Sequence, residues 1–115
     1  MNKLDTIIQN IYEIKNYSIV TPKDLLDNAK LDNYSYVNYY KKNNNLVVDM
    51  ECMCEDGIRR KFNYIFDNND NLLQIKATPG NLMQTDVLFD REIELKVLLD
   101  EYNEIQNKVL SEKVG

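Results

Sequence analysis

Apolar and polar positions along this chain change their period twice, and each change marks a structural boundary. In "LDTIIQNIYEIKNY", residues 4–17, apolar side chains fall at Leu4, Ile7, Ile8, Ile11, Tyr12 and Ile14, with polar residues between them. Spacings of three and four put them on one stripe of an α-helix. After a break at residues 17–20, "TPKDLLDNAKL" reads as a helix start. Thr21 is a favourable N-cap, Pro22 fits the first helical position, and Asp24 stands three residues after the cap in the manner of a capping box. Leu25, Leu26 and Ala29 would face the core of this second, two-turn helix.

From residue 34 the period becomes two. "YSYVNYYKK" is rich in residues that favour strands, and the asparagines at 43–45 make a turn. "LVVDMECMC" then alternates, with Leu46, Val48, Met50, Cys52 and Cys54 on one face against Val47, Asp49, Glu51 and Met53 on the other. "EDG" at 55–57 is a hairpin turn in which glycine supplies a positive φ. "IRRKFNYIF" alternates again, "DNNDN" at 67–71 turns, and "LLQIKA" forms a shorter strand. The expectation for residues 34–77 is a four-stranded antiparallel meander.

"TPG" at 78–80 closes the sheet, and a helical period returns. Leu88, Leu95, Leu98, Tyr102, Ile105 and Val109 step by seven, three, four, three and four, a heptad-like seam that predicts one long helix over 84–112. Arg91 occupies a position that this register makes apolar, so the seam is clean only from Leu95 onward. At about 1.5 Å per residue such a helix reaches about 40 Å, longer than the strands, so part of it overhangs or meets another chain. The fold expected is a single α+β domain over residues 1–115. Its helical part is 1–31, and the long C-terminal helix packs on one face of the sheet.

Composition narrows the chemistry. With 43% hydrophobic and 29% charged residues the 115-residue chain has a globular balance. It has no histidine and only three glycines, which removes the commonest general base and metal ligand and any glycine-rich phosphate loop. Ser18, Ser35 and Ser111 have no nucleophile context, and the cysteines lack an imidazole base. No enzyme and no cofactor are expected. No apolar run spans a bilayer and the first residues lack a secretory pattern, which points to the cytoplasm. Sixteen asparagines with many Lys, Ile and Tyr suggest an AT-rich genome and a bacterial or phage-type protein.

The net charge of −5 is uneven. Residues 1–80 carry 10 basic and 11 acidic side chains, whereas 81–115 carry 4 and 8. An acidic C-terminal segment disfavours nucleic acid as a partner.

Four local features invite chemistry. "DMECMCEDG" gathers Met50, Cys52, Met53 and Cys54, soft donors of the kind that hold Cu(I). Their alternation with Leu46 and Val48 assigns Met50, Cys52 and Cys54 to the buried side of a strand, and the chain lacks the ligands to close a zinc site. The loop from Asp67 begins like a calcium loop but has Leu72 where glycine and Thr78 where glutamate are required. Asp86, Asp90 and Glu94, four apart on the expected helix, form an acidic row, joined by Asp100, Glu101 and Glu104. Tyr34, Tyr36 and Tyr40 would share one face of the first strand, with Tyr39 and Val37 on the other.

The function these features support is non-enzymatic: a small interaction protein that binds a protein partner. The candidate partner-binding residues are Tyr34, Tyr36, Tyr40, Asp90, Glu94 and Glu101. Self-association as a homodimer is assigned to the seam Leu95, Leu98, Tyr102, Ile105 and Val109. Two alternatives belong to other classes. One is a small-ligand carrier with an apolar pocket lined by Met50, Phe62 and Tyr64. The other is an acidic inhibitor that mimics nucleic acid on a basic partner.

Overall fold

The structure is a computed structural model that describes residues 2–80 and 82–114, apart from the side chains of residues 113 and 114. The order of elements is α1 (Lys3–Asn16), α2 (Pro22–Leu26), a 3₁₀ turn (Asp27–Lys30), β1 (Tyr34–Lys42), β2 (Asn45–Met53), β3 (Arg59–Phe66), β4 (Leu72–Pro79), β5 (Asp86–Asp90) and α3 (Arg91–Val114). The protein is α+β, with one antiparallel sheet in which strand order follows chain order. Two compact units form: Ser18–Asp90 holds the sheet, and the two long helices α1 and α3 make the other.

In the sheet unit the turns stand where the sequence puts them, for physical reasons. Asn43 and Asn44 between β1 and β2 both have positive φ (53° and 66°), which asparagine tolerates better than most residues. Gly57 (φ 80°) ends the Cys54–Gly57 turn between β2 and β3. In the turn between β3 and β4, Asp67 Oδ1 accepts from the backbone N–H groups of Asn69 and Asn71. The loop that begins like a calcium site is thus an Asx-type turn.

The main core cluster lies on one face of the sheet, and Val47, which alternation puts on the opposite face, is buried as well. Val48, Met50 and Phe66 are the largest side chains that are wholly buried, and Leu25 and Leu72 join them. Val20, Tyr34, Val37, Phe62, Tyr64, Ile75 and Phe89 pack around this cluster. Leu25 brings α2 onto that face, and Tyr39 fixes it by donating from its hydroxyl to the carbonyl oxygen of Pro22 (2.6 Å). The Asp24 carboxylate accepts from the Thr21 N–H (2.9 Å), as a capping box requires.

Two expectations are corrected. The sheet has five strands, not four, and the long helix starts at Arg91, not near 84. Residues 86–90, "DVLFD", pair with β4 from Gln74↔Asp90 to Ala77↔Asp86. Their Val, Leu and Phe suit a strand, and β4 without a neighbour would leave a row of unpaired backbone groups. Phe89 also reaches the core cluster. The period of seven that ties Leu88 to Leu95 is therefore a coincidence across a strand-to-helix junction.

In the helical unit α1 and α3 pack against each other, and Arg91 defines the arrangement. Its guanidinium donates through Nε to the carbonyl oxygen of Ile14 (3.1 Å) and through Nη2 to that of Lys15 (2.9 Å). These are carbonyls of the last turn of α1, which have no partner within their own helix. The start of α3 thus lies beside the end of α1, and the two run antiparallel. Leu4, Ile7, Ile11 and Ile14 are the buried or half-buried positions of α1. Leu95, Leu98, Tyr102 and Ile105 are the half-buried apolar positions of α3, on the side that Arg91 occupies.

Candidate functional site

Each strand from β1 to β4 contributes polar residues to the face opposite the core. Pairing places Asn38, Asp49, Asn63 and Lys76 in one row across these strands, and Tyr36, Glu51, Lys61 and Thr78 in the next. The first row is knitted around Asp49. Its Oδ1 accepts from Asn63 Nδ2 (2.5 Å) and its Oδ2 from the Tyr40 hydroxyl (2.9 Å). That hydrogen bond to a carboxylate pushes the Tyr40 phenol above its ordinary range. In the second row Glu51 pairs with Arg59 (3.3 Å), whose guanidinium also donates to Ser35 Oγ.

Beside these rows runs an open groove of about 440 Å³, lined by Tyr36, Lys42, Asp49, Lys61, Asn63 and Lys76 among others. Thr78 and Thr85 share a hydroxyl hydrogen bond (2.8 Å) at its wall. The period of the sequence does not single out Lys61, Lys76, Asp49 or Asn63 as site residues. The signal that finds them is register: once the hairpin turns are placed, alternate residues of neighbouring strands fall into rows.

The predicted tyrosine cluster is divided. A β-bulge between Tyr34 and Tyr36 shifts the register, so Tyr34 pairs with Cys52 and Tyr36 with Glu51. Tyr34 therefore lies on the core face with Val37 and Tyr39, while Tyr36 and Tyr40 lie on the polar face. The shared face expected for Tyr34, Tyr36 and Tyr40 is corrected on this point. Strict alternation fails because the extra residue, Ser35, is absorbed at the sheet edge, where bulges are common. Burial holds the Tyr34 phenol above its ordinary range, with the neighbouring Cys52 adding to it.

The acidic row is also corrected. Asp86 and Asp90 stand on β5 and Glu94 on α3, so the three do not share a helix. Asp90 is half-buried, and one of its oxygens accepts from Gln74 Nε2 (3.0 Å), which makes it part of the sheet edge. Glu94 and Glu101, seven apart on α3, are exposed on one face of that helix.

Four seam residues, Leu95, Leu98, Tyr102 and Ile105, lie on the α1 side of α3, whereas Val109 is exposed. Helix lengths account for this. At about 1.5 Å per residue, the 14 residues of α1 cover about 21 Å and the 24 of α3 about 36 Å. With the ends matched at Arg91, α3 continues past α1 from about Ile105. Val109 (38% exposed) and Leu110 (56%) lie on this overhang.

The sulfur cluster divides as well. Met50 and Cys52 are buried, at 1% and 4% exposure, while Cys54 lies past the end of β2 and is half-buried. The two Sγ atoms are 4.0 Å apart and both thiols are free. Burial first, then the neighbouring Cys54, raises the Cys52 thiol, which keeps it protonated and unreactive. Asn28 Nδ2 lies 3.6 Å from Met50 Sδ, so the thioether is already engaged from the α2 side. Among the described residues no group of three His, Cys, Asp or Glu side chains is placed to hold a metal ion. No helix among them is long and apolar enough to cross a membrane.

Compared with protein-family models, curated protein sequences and solved structures, the chain matches none of them.

Proposed function

We propose that this chain is a non-enzymatic interaction protein that binds a protein partner and self-associates through its C-terminal helix. The observation that carries the proposal is the overhang of α3. Its last ten residues extend past α1 and present Val109 and Leu110 to solvent. Helices gain most of their stability from an apolar face packed on something else, and a ten-residue extension beyond the partner helix is marginal in water. A second copy of α3 laid antiparallel on this end supplies that cover. It keeps the isologous symmetry of a two-fold dimer, in which each patch meets itself.

Val97 supports the same reading. It lies on the side of α3 away from the seam and is 50% exposed. The apolar surface of α3 therefore exceeds what α1 covers. The exposed pair Glu94 and Glu101 flanks it and favours partners of basic character.

Sedimentation equilibrium of the full chain tests the proposal. A reversible monomer–dimer equilibrium at about tens of micromolar is expected, because the overhang offers less than the roughly 800 Å² per partner of a standard interface. A strict monomer throughout that range refutes self-association.

A further inference from the structure

We propose that the groove on the polar face of the sheet binds a small phosphorylated ligand of nucleotide size. This goes beyond self-association through α3 and does not rest on it.

Charge is the first argument. Lys42, Lys61 and Lys76 come from three different strands and line one groove. Among the described residues none of the three has a carboxylate within 4 Å, whereas Arg59, Arg60 and Lys30 each do. Register sets Lys61 and Lys76 on adjacent strands two residues apart, where one phosphate can accept from both and relieve their mutual repulsion, while Lys42 stands at the far end of the groove and adds longer-range attraction. The lining carries one carboxylate, Asp49. Tyr40 and Asn63 hold it from two sides, so it is a fixed acceptor, suited to a hydroxyl or amino group at the other end of the same ligand.

Size and shape are the second argument. A volume of about 440 Å³ lies within the ordinary range for small-molecule sites. The half-buried ring of Tyr36 gives the groove an aromatic wall, and Thr78 and Thr85 add hydroxyls. A phosphate group joined to a planar or hydroxylated body uses all of these, and inorganic phosphate does not.

Net charge decides between a small ligand and a nucleic-acid strand. The chain carries −5 overall, and within Ser18–Asp90 there are 8 basic and 11 acidic side chains. A strand extending beyond the groove meets that excess of negative charge. A single phosphate responds to the lysines within a Debye length of about 8 Å.

The test is calorimetric titration of the full chain at low salt with adenosine 5′-monophosphate, adenosine, inorganic phosphate and a short single-stranded oligonucleotide. The nucleotide is expected to bind with a Kd of about 1 mM or tighter, phosphate more weakly, and adenosine more weakly still. Lys61→Gln and Lys76→Gln are each expected to weaken the nucleotide about tenfold, since each removes one charge-assisted contact, while Lys61→Arg retains it. Both lysines are outside the core, so unchanged thermal melting shows that these variants fold. Nucleotide binding that ignores Lys61→Gln and Lys76→Gln overturns the proposal, as does the absence of binding. Equal affinity for phosphate and nucleotide overturns the nucleotide-sized occupant. Binding confined to a single-stranded oligonucleotide overturns the small-ligand reading.

Discussion

Replacing Val109 and Leu110 together by lysine separates association from folding. Both residues lie on the part of α3 that extends past α1, and both are exposed, at 38% and 56%. Fully burying a Val or Leu side chain contributes about 1.5–3 kcal/mol, so the exposed half of each returns about 1 kcal/mol when a partner covers it. A two-fold dimer buries four such halves, or about 4 kcal/mol, which corresponds to about a thousandfold in the dimer constant. Lysine stems that lie along apolar surface recover part of this, so the expected loss is at least about a hundredfold. Lysine is preferred to aspartate because a cation near a helix C-terminus interacts favourably with the helix dipole, and the helix itself is then spared. Leu98→Asp is the contrasting variant. Leu98 is half-buried on the α1 side, so a charge there costs about 2–5 kcal/mol of folding stability, with a fall in Tm of roughly 10 °C or more. Sedimentation equilibrium and differential scanning calorimetry read the two effects separately. If the lysine pair leaves the dimer constant unchanged in a folded protein, the overhang is not the interface and the reasoning fails.

The core, the thiols and the titrating groups give further expectations. Phe66→Ala removes a wholly buried ring from the cluster it forms with Leu25, Val48, Met50 and Leu72, at a cost of about 3–5 kcal/mol, visible as a lowered urea midpoint with unchanged m. Cys54, half-buried, should react with a thiol reagent several times faster than Cys52 in the folded protein, because Cys52 is buried and its thiol is pushed up by that burial; equal rates would place Cys52 at the surface. Burial raises Cys52, Tyr34, Tyr39 and Tyr64, and the Asp49 hydrogen bond raises Tyr40, so the folded state holds these protons longer than the unfolded one. Their contribution is complete below about pH 9 and is lost as pH rises, so stability should decline above pH 9, with a smaller slope in Cys52→Ala. Asp56 has the opposite sign: Arg60, bonded to both its oxygens, holds it down to about 2, against an ordinary 3.8. Its contribution is present above pH 3.8 and lost as pH falls towards 2, so Asp56→Asn should flatten the acid limb in a pH series of melts.

How much of the fold is legible in the amino-acid sequence depends on whether a feature is local. Asn43, Asn44 and Gly57 declare their turns because few other residues tolerate a positive φ, and the turns then fix the lengths of β1 to β4. Alternation through Val48, Met50 and Cys52 assigns them to the buried face, where they lie, because each is central to β2, with a neighbouring strand on both sides. β5 escapes such a reading because nothing in "DVLFD" alone outweighs a helical period that continues to Val109. What decides it is the edge of β4 and the place that Phe89 finds on the core cluster, both set by residues far away in sequence.

The same distinction explains the fate of the candidate site. Tyr34, Tyr36 and Tyr40 look equivalent because alternation assigns faces by parity, and parity survives only while every residue has a partner. Ser35 has none in the ladder, so the bulge reverses the assignment for Tyr34 alone. That reversal gives both faces what they need. Tyr34 turns inward onto the core cluster beside its pairing partner Cys52, and Ser35 is left at the edge to accept from Arg59. Tyr36 and Tyr40 remain outward, one on the groove wall and the other holding Asp49. One added residue at the sheet edge thus completes the core and leaves the opposite face polar, aromatic and lined with lysines, the combination on which binding of a phosphorylated ligand depends.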